Sequence, residues 1–343
     1  MNILIRTSGG KAPKKELSFG HIYRTSNLVD NLQKNKIFFL IEDYGGAKEI
    51  LFSKGYRNIS TVRNGISLKK DIKETLEFII KNSIDVLIID KYRLKQEYVK
   101  KIKKCVSTVV ITDLRNIEYS ADLVVNGFIG YNNKIIKNQH GSRCLLGPKY
   151  QILNKEFSKT NRKKKKIDLL ATFGGFDESN VIEKLLNALE NYHKKIRTRI
   201  ILGPGTLHSE TIRNFEKKYK ENLQVIQTTK CMHNEISSSK FGICAGGITT
   251  YEFASCGIPF GIVSQVKHQL ITAREWQEKG IAFDLGLANK RTKNKIELFL
   301  ELIINNQIHP KRRQVVDGFG AKRVACEIIS MKRVPRKTSI GKL

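Results

Sequence analysis

Three places in the chain carry residue types that could do chemistry. Near the N-terminus, Phe19-Gly20-His21-Ile22-Tyr23-Arg24 follows a short apolar run, Ile3-Leu4-Ile5, and leads into a helical stretch over 22–33. A neutral imidazole accepts protons at neutral pH. Gly20 gives the backbone freedom for a tight turn between strand and helix. The pattern predicts His21 at a helix N-terminus on the carboxyl side of a strand, where ligands bind in open α/β sheets. In the second half, Thr172-Phe173-Gly174-Gly175-Phe176-Asp177 and Cys244-Ala245-Gly246-Gly247-Ile248-Thr249-Thr250-Tyr251-Glu252 each run from an apolar strand through a Gly-Gly turn into a helix. Glycines let backbone amides approach an anion, and a helix N-terminus favours negative charge. Glu252 falls about one turn after Thr249, so one helix can offer amides to a diphosphate and a carboxylate to a vicinal diol. The plainer alternatives are ordinary turns for the glycine pairs, a helix-surface role for Glu252 and a helix-cap role for His21.

These residues need a scaffold, and the apolar pattern predicts one of alternating strands and helices. Strands are expected at 2–6, 36–41, 85–89, 108–112 and 123–126, with helices near 22–33, 46–54, 70–82 and 94–104. Val86-Leu87-Ile88-Ile89 is continuously apolar, as a parallel strand covered on both faces requires. A polar, charged run over 158–166 interrupts the pattern. Alternation then resumes with strands at 167–173, 197–202, 223–227, 241–245 and 260–263. Helices follow near 178–192, 207–219, 249–255, 269–279, 293–305 and 319–331. Such βαβ alternation predicts an α/β protein with parallel, doubly wound sheets. A length of 343 residues suits two domains of about 150 residues each. The expected division is a Rossmann-like domain over 1–160, a second over 167–332 and a basic tail over 333–343.

The net charge of +30 comes from 62 Lys and Arg against 32 Asp and Glu. It is spread along the chain, with one cluster at Arg162-Lys163-Lys164-Lys165-Lys166. No nucleic-acid motif accompanies it, and no basic stripe alternates with aromatics. A solvated lysine-rich surface is expected, with attraction to diphosphate substrates or peripheral contact with an anionic membrane as alternatives. No stretch approaches the roughly 20 apolar residues of a membrane span, and no leader pattern opens the sequence, so a cytoplasmic location is expected. The six cysteines lack C-x-x-C spacing, which predicts reduced, buried thiols rather than disulfides or zinc. His140, His193, His208, His233 and His309 are expected at the surface or in loops. With no ligand spacing among them and no Asp-x-Asp pair, neither a metal nor another cofactor is expected.

The run from Ala245 through Gly280 resembles the nucleotide-binding half of MurG-type glycosyltransferases of the GT-B fold. Most of the chain is similar to the UDP-sugar hydrolases of pseudaminic acid synthesis and their spore-coat polysaccharide relatives. That similarity is carried by Gly20-His21-Ile22-Tyr23-Arg24, Ile88-Ile89-Asp90-Lys91-Tyr92, Ile111-Thr112-Asp113-Leu114 and Ala121-Asp122-Leu123-Val124-Val125-Asn126. Gly147-Pro148-Lys149-Tyr150 and Val316-Asp317-Gly318-Phe319-Gly320-Ala321-Lys322-Arg323 continue it. The chain departs from the hydrolases at His268, where they carry asparagine and the transferases a nearby histidine. The segment over 9–17 is also longer.

The resemblance implies two Rossmann-like domains with parallel sheets facing across a cleft. It also implies hydrolysis of UDP-2,4-diacetamido-2,4,6-trideoxyhexose at the anomeric carbon, feeding nonulosonic acid synthesis. MurG-like transfer from a UDP donor to an acceptor is the alternative. His21 matches the catalytic histidine and Tyr92 an active-site tyrosine. Gly246, Gly247 and Glu252 match the uridine-nucleotide site, and Gly20, Arg24, Gly174, Gly175, Thr249, His268 and Gln269 complete the expected substrate contacts. On this reading His21 activates water opposite the diphosphate, with inversion at the anomeric carbon. Tyr92 orients the water or a sugar hydroxyl, and Asp113 holds the second imidazole nitrogen.

Overall fold

The computed structural model describes residues 1–10, 19–159, 164–308 and 315–331. The chain forms two units, Met1–Lys155 with Phe319–Leu343, and Glu156–Gly318.

The first unit runs β1 (Asn2–Gly10), α1 (Gly20–Val29), β2 (Lys36–Tyr44), α2 (Ala47–Ser53), β3 (Ile59–Val62) and α3 (Leu68–Lys81). It continues with β4 (Val86–Asp90), α4 (Gln96–Ile102), β5 (Ser107–Thr112), β6 (Leu123–Asn126), β7 (Lys134–Lys137) and β8 (Arg143–Leu146). The sheet order is β3-β2-β1-β4-β5-β6-β8-β7. Alternation along the central strands feeds two cores. Ile3, Ile5 and Ile88 face Ile22 and Leu28 of α1, whereas Leu4, Leu87 and Ile89 face Ile72, Leu76 and Ile79 of α3. In α3 the buried residues recur at helical spacing, with Asp71 in the first turn and Lys81 in the last, as the helix dipole favours.

The second unit runs β9 (Ile167–Thr172), α5 (Val181–Leu189), β10 (Thr198–Leu202), α6 (Glu210–Lys218), β11 (Leu223–Gln227) and α7 (Met232–Ser237). Then come β12 (Ser239–Cys244), α8 (Thr249–Ser255), β13 (Phe260–Ser264), α9 (Gln269–Glu278), β14 (Ala282–Leu287) and α10 (Thr292–Ile304). Its sheet order is β11-β10-β9-β12-β13-β14, every pair parallel. In each sheet the parallel winding changes direction at a central pair, β1 and β4 in the first and β9 and β12 in the second. Those switch points open crevices at the carboxyl ends of the strands.

The expected alternation is present, with instructive differences. The short β3 and β7 escape the apolar pattern because they are largely exposed. β7 is also antiparallel to β8, so the first sheet is not wholly parallel. β14 carries Asp284 and Gly286 within its run, and α7 is only six residues long. The domain limits need correction. The boundary falls after Lys155, and the last helix, α11 (Gly320–Ser330), returns to the first unit. The reason is apolar: Ala321, Val324, Ala325 and Ile328 join the core of Ile3, Ile22 and Leu28. Arg143 ties the helix down through a bidentate contact with Glu327 at 2.6 and 3.1 Å. Part of the charged run (160–163), His309, the basic tail over 333–343 and most of the 9–17 segment lie outside the described residues.

Candidate active site

In the first unit the switch point assembles a constellation around Asp90. The carboxylate ends β4 on the face that packs against α1, and it is fully buried. His21, second residue of α1, places Nδ1 2.6 Å from Asp90 Oδ1. Arg24 follows at i+3, on the same helix face. Its Nε and Nη2 donate to the two Asp90 oxygens, both at 2.7 Å. Burial alone would push the Asp90 carboxyl up. The Arg24 guanidinium, then His21, outweigh burial and hold it at about 2. An ionised carboxylate only accepts hydrogen bonds. Nδ1 of His21 therefore carries its proton toward Asp90, and Nε2 is the nitrogen left to accept one.

This corrects the expectation that Asp113 holds the imidazole. Asp113 is exposed and reaches only Arg24, at 3.5 Å. In the sequence Asp90 stands only as part of the Ile88-Ile89-Asp90-Lys91-Tyr92 run, with no role of its own, because it closes an apolar strand and reads as the start of a loop; a lone carboxylate ending a buried parallel strand is the signal that marks it. The role given to Gly20 also changes: it opens α1 as a helical residue and is not among the glycines with positive φ. Tyr92 lies two residues past Asp90. Its N–H donates to Ser8 Oγ of β1 at 2.8 Å, and the Arg93 guanidinium lies over its ring at 4.9 Å.

In the second unit three turns gather at the carboxyl edge of β9, β12 and β13. Gly174 is exposed at φ +84, a left-handed value that glycine tolerates. Gly175 O accepts from the Gly205 N–H at 2.8 Å. Gly246 is buried where a Cβ would stand 2.7 Å from the Gln269 Cβ, so only glycine lets α9 press against this turn. Gly247 is exposed, with open space beside it. Gln265 links the turns, its side-chain amide donating to Phe173 O at 2.7 Å. The Gln265 N–H in turn donates to Gln269 Oε1 at 2.8 Å. Gln269 thus spends its side-chain carbonyl on the loop, which makes it a support for the turn. His268 is exposed at the head of α9. Asp177 accepts from the N–H groups of Val181 and Ile182 and caps α5. Burial pushes the Glu252 carboxyl up to about 7 despite a hydrogen bond from Thr249.

Elsewhere, His233 is buried edge-on against Phe157, which corrects its expected surface position. All six cysteines are free thiols; Cys144 and Cys244 are buried and Cys326 is exposed. Among the described residues no three His, Cys, Asp or Glu side chains cluster as metal ligands, and no helix is long and apolar enough to cross a membrane.

No family model matches the chain. It is 28% identical over 345 residues to the spore coat polysaccharide biosynthesis protein SpsG of Bacillus subtilis, covering 94% of this chain and 96% of that one. Among solved structures it is similar to MurG of Acinetobacter baumannii, with a TM-score of 0.67 at 14% identity, covering 96% of this chain and all of that one. It is also similar to S. aureus MnaA solved with UDP, with a TM-score of 0.59 at 13% identity and 96% of each chain covered. These likenesses and the two strand orders agree: the chain is an α/β protein of the GT-B type, built from two Rossmann-like units.

Proposed function

We propose that this chain is a UDP-sugar hydrolase that cleaves UDP-2,4-diacetamido-2,4,6-trideoxyhexose at the anomeric carbon, with His21 as general base. The observation that carries the reading is the His21–Asp90–Arg24 constellation at the first switch point. A base oriented by a buried carboxylate is the arrangement that proton abstraction from water needs. Similarity to SpsG along 94% of the chain supports a role in building surface polysaccharide sugars. MnaA, of similar fold, holds UDP.

In the proposed reaction Nε2 of His21 takes a proton from water. The resulting oxygen bonds to the anomeric carbon as the bond to the β-phosphate oxygen breaks, and UDP leaves with that electron pair. Single displacement inverts the anomeric centre. The Asp90 charge stabilises the imidazolium as it forms, and Arg24 keeps Asp90 ionised. We assign the nucleotide to the second unit, with Gly174, Gly175, Gly246 and Gly247 offering amides to the diphosphate. Glu252, supported by Thr249, accepts from the ribose hydroxyls. Tyr92 orients the water or a sugar hydroxyl. His268, exposed beside the Gly246 turn through its neighbour Gln269, favours a second reading, transfer of the sugar to an acceptor hydroxyl by the same base.

NMR-monitored incubation with the diacetamido UDP-sugar and with UDP-N-acetylglucosamine, without acceptor, tests the reading. Free sugar and UDP are expected from the first substrate. His21→Ala should bind UDP normally but turn over about 10²–10⁴-fold more slowly, the usual contribution of a general base. Nucleotide-sugar binding with no turnover by the wild type would instead select the transferase.

A further inference from the structure

We propose that Lys91, held in a buried four-charge cluster with Arg6, Glu42 and Asp71, is a positioning residue that sets Asp90 and Tyr92 for the His21 chemistry. The inference rests on the proposed role of His21 and concerns the opposite face of the sheet. Glu42 near the end of β2, Arg6 in the middle of β1 and Lys91 one residue past β4 lie on the α3 side of three neighbouring strands, and α3 supplies Asp71. Arg6 Nη2 lies 2.8 Å from both Glu42 Oε1 and Asp71 Oδ1. Lys91 Nζ lies 2.8 Å from Glu42 Oε1 and 2.5 Å from Asp71 Oδ2. Side-chain exposure is 0% for Arg6, 3% for Asp71, 7% for Glu42 and 10% for Lys91. Tyr44 donates to the remaining Glu42 oxygen at 2.9 Å.

Two cations balance two carboxylates, so the cluster is neutral. Its desolvation still makes it a poor source of stability beside apolar side chains of similar size. Fixed direction is what such a cluster supplies and an apolar filling does not. Here the direction is imposed on one residue between two site residues. Lys91 is clamped on the α3 face, Asp90 on the α1 face through Arg24 and His21, and Tyr92 by its N–H to Ser8. Arg93 follows at φ +52, so the chain leaves the strand at once. A backbone shift at Lys91 moves the residues on either side of it, and the ammonium clamp on Glu42 and Asp71 opposes that shift.

The test separates positioning from stability with a charge-balanced pair of substitutions in the full chain. Lys91→Met alone leaves two buried carboxylates sharing Arg6 and should lower Tm. Adding Glu42→Gln restores one cation to one anion and should recover Tm. Positioning predicts that kcat for the diacetamido UDP-sugar stays about 10²-fold low in the double variant, the cost of a small misplacement, with KM little changed. It also predicts that the low-field proton resonance of His21 Nδ1–H moves. Recovery of kcat and of that resonance together with Tm would overturn the proposal. If the wild type hydrolyses no nucleotide sugar, the functional reading fails, and the resonance in the balanced variant still decides: a shift supports positioning, no shift refutes it. Lys91→Met/Asp71→Asn makes the same comparison through the other carboxylate should the first pair not fold.

Discussion

Asp90 is the residue on which the proposed chemistry turns, because one carboxylate serves both an imidazole and a guanidinium. Asp90→Asn keeps the shape but can present an amide N–H to Nδ1, which forces the wrong imidazole tautomer. Turnover should fall by about 10³–10⁴-fold, as in other carboxylate–histidine pairs, and pre-steady-state kinetics should place the loss in the chemical step. Glu252 makes a different residue-scale prediction. Its carboxyl is pushed from 4.5 up to about 7 by burial. Folding therefore favours the protonated form, and stability is lost as pH rises from the unfolded value through the folded one. Glu252→Gln should be no more stable than the wild type near pH 4, but more stable by about 2–3 kcal/mol near pH 8. Urea unfolding at the two pH values measures this, and a gap that does not widen would show that Glu252 is solvated.

At the scale of elements, α11 shows how an amphipathic helix finds its place by its apolar face. Its buried residues are Gly320, Ala321, Val324, Ala325 and Ile328, a stripe at helical spacing. The stripe announces that the helix must pack, but not against which sheet. Ile328→Ala should cost about 2–4 kcal/mol through the cavity it leaves. Hydrogen exchange should show the loss of protection in β1, α1 and the rest of the first unit, with the second unit unaffected. Loss of protection in the second unit instead would contradict the assignment of α11. The switch points are also properties of elements. His21 and Asp90 are 69 residues apart and meet because β1 and β4 are neighbours, with Thr7 in register with Asp90.

For the whole molecule the notable quantity is the charge of +30. Much of it sits on exposed side chains, where salt screens it beyond a Debye length of about 10 Å at 0.1 M. If this field draws in an anionic nucleotide sugar, raising salt to about 0.5 M should increase KM and leave kcat nearly constant. Steady-state kinetics over a salt series checks this, and an unchanged KM would confine the charge to solubility. The basic surface leaves the core undisturbed because the central strands bury mostly apolar side chains, and the charged exceptions, Arg6 and Asp90, are paired with Glu42 and Asp71 and with Arg24.

The sequence by itself determined the α/β alternation, the two-unit plan, the helix start that carries His21 and the turns that carry Gly174, Gly175, Gly246 and Gly247. Those features are local: they depend on apolar periodicity and on glycine at strand-to-helix turns. Only the tertiary structure decided that Asp90 rather than Asp113 holds His21. It also decided that Gln269 supports a turn, that α11 belongs with the first unit and that Arg6, Glu42, Asp71 and Lys91 share one buried cluster. Each of these depends on strand order and on which face a side chain takes, and a linear pattern carries no record of which strands become neighbours.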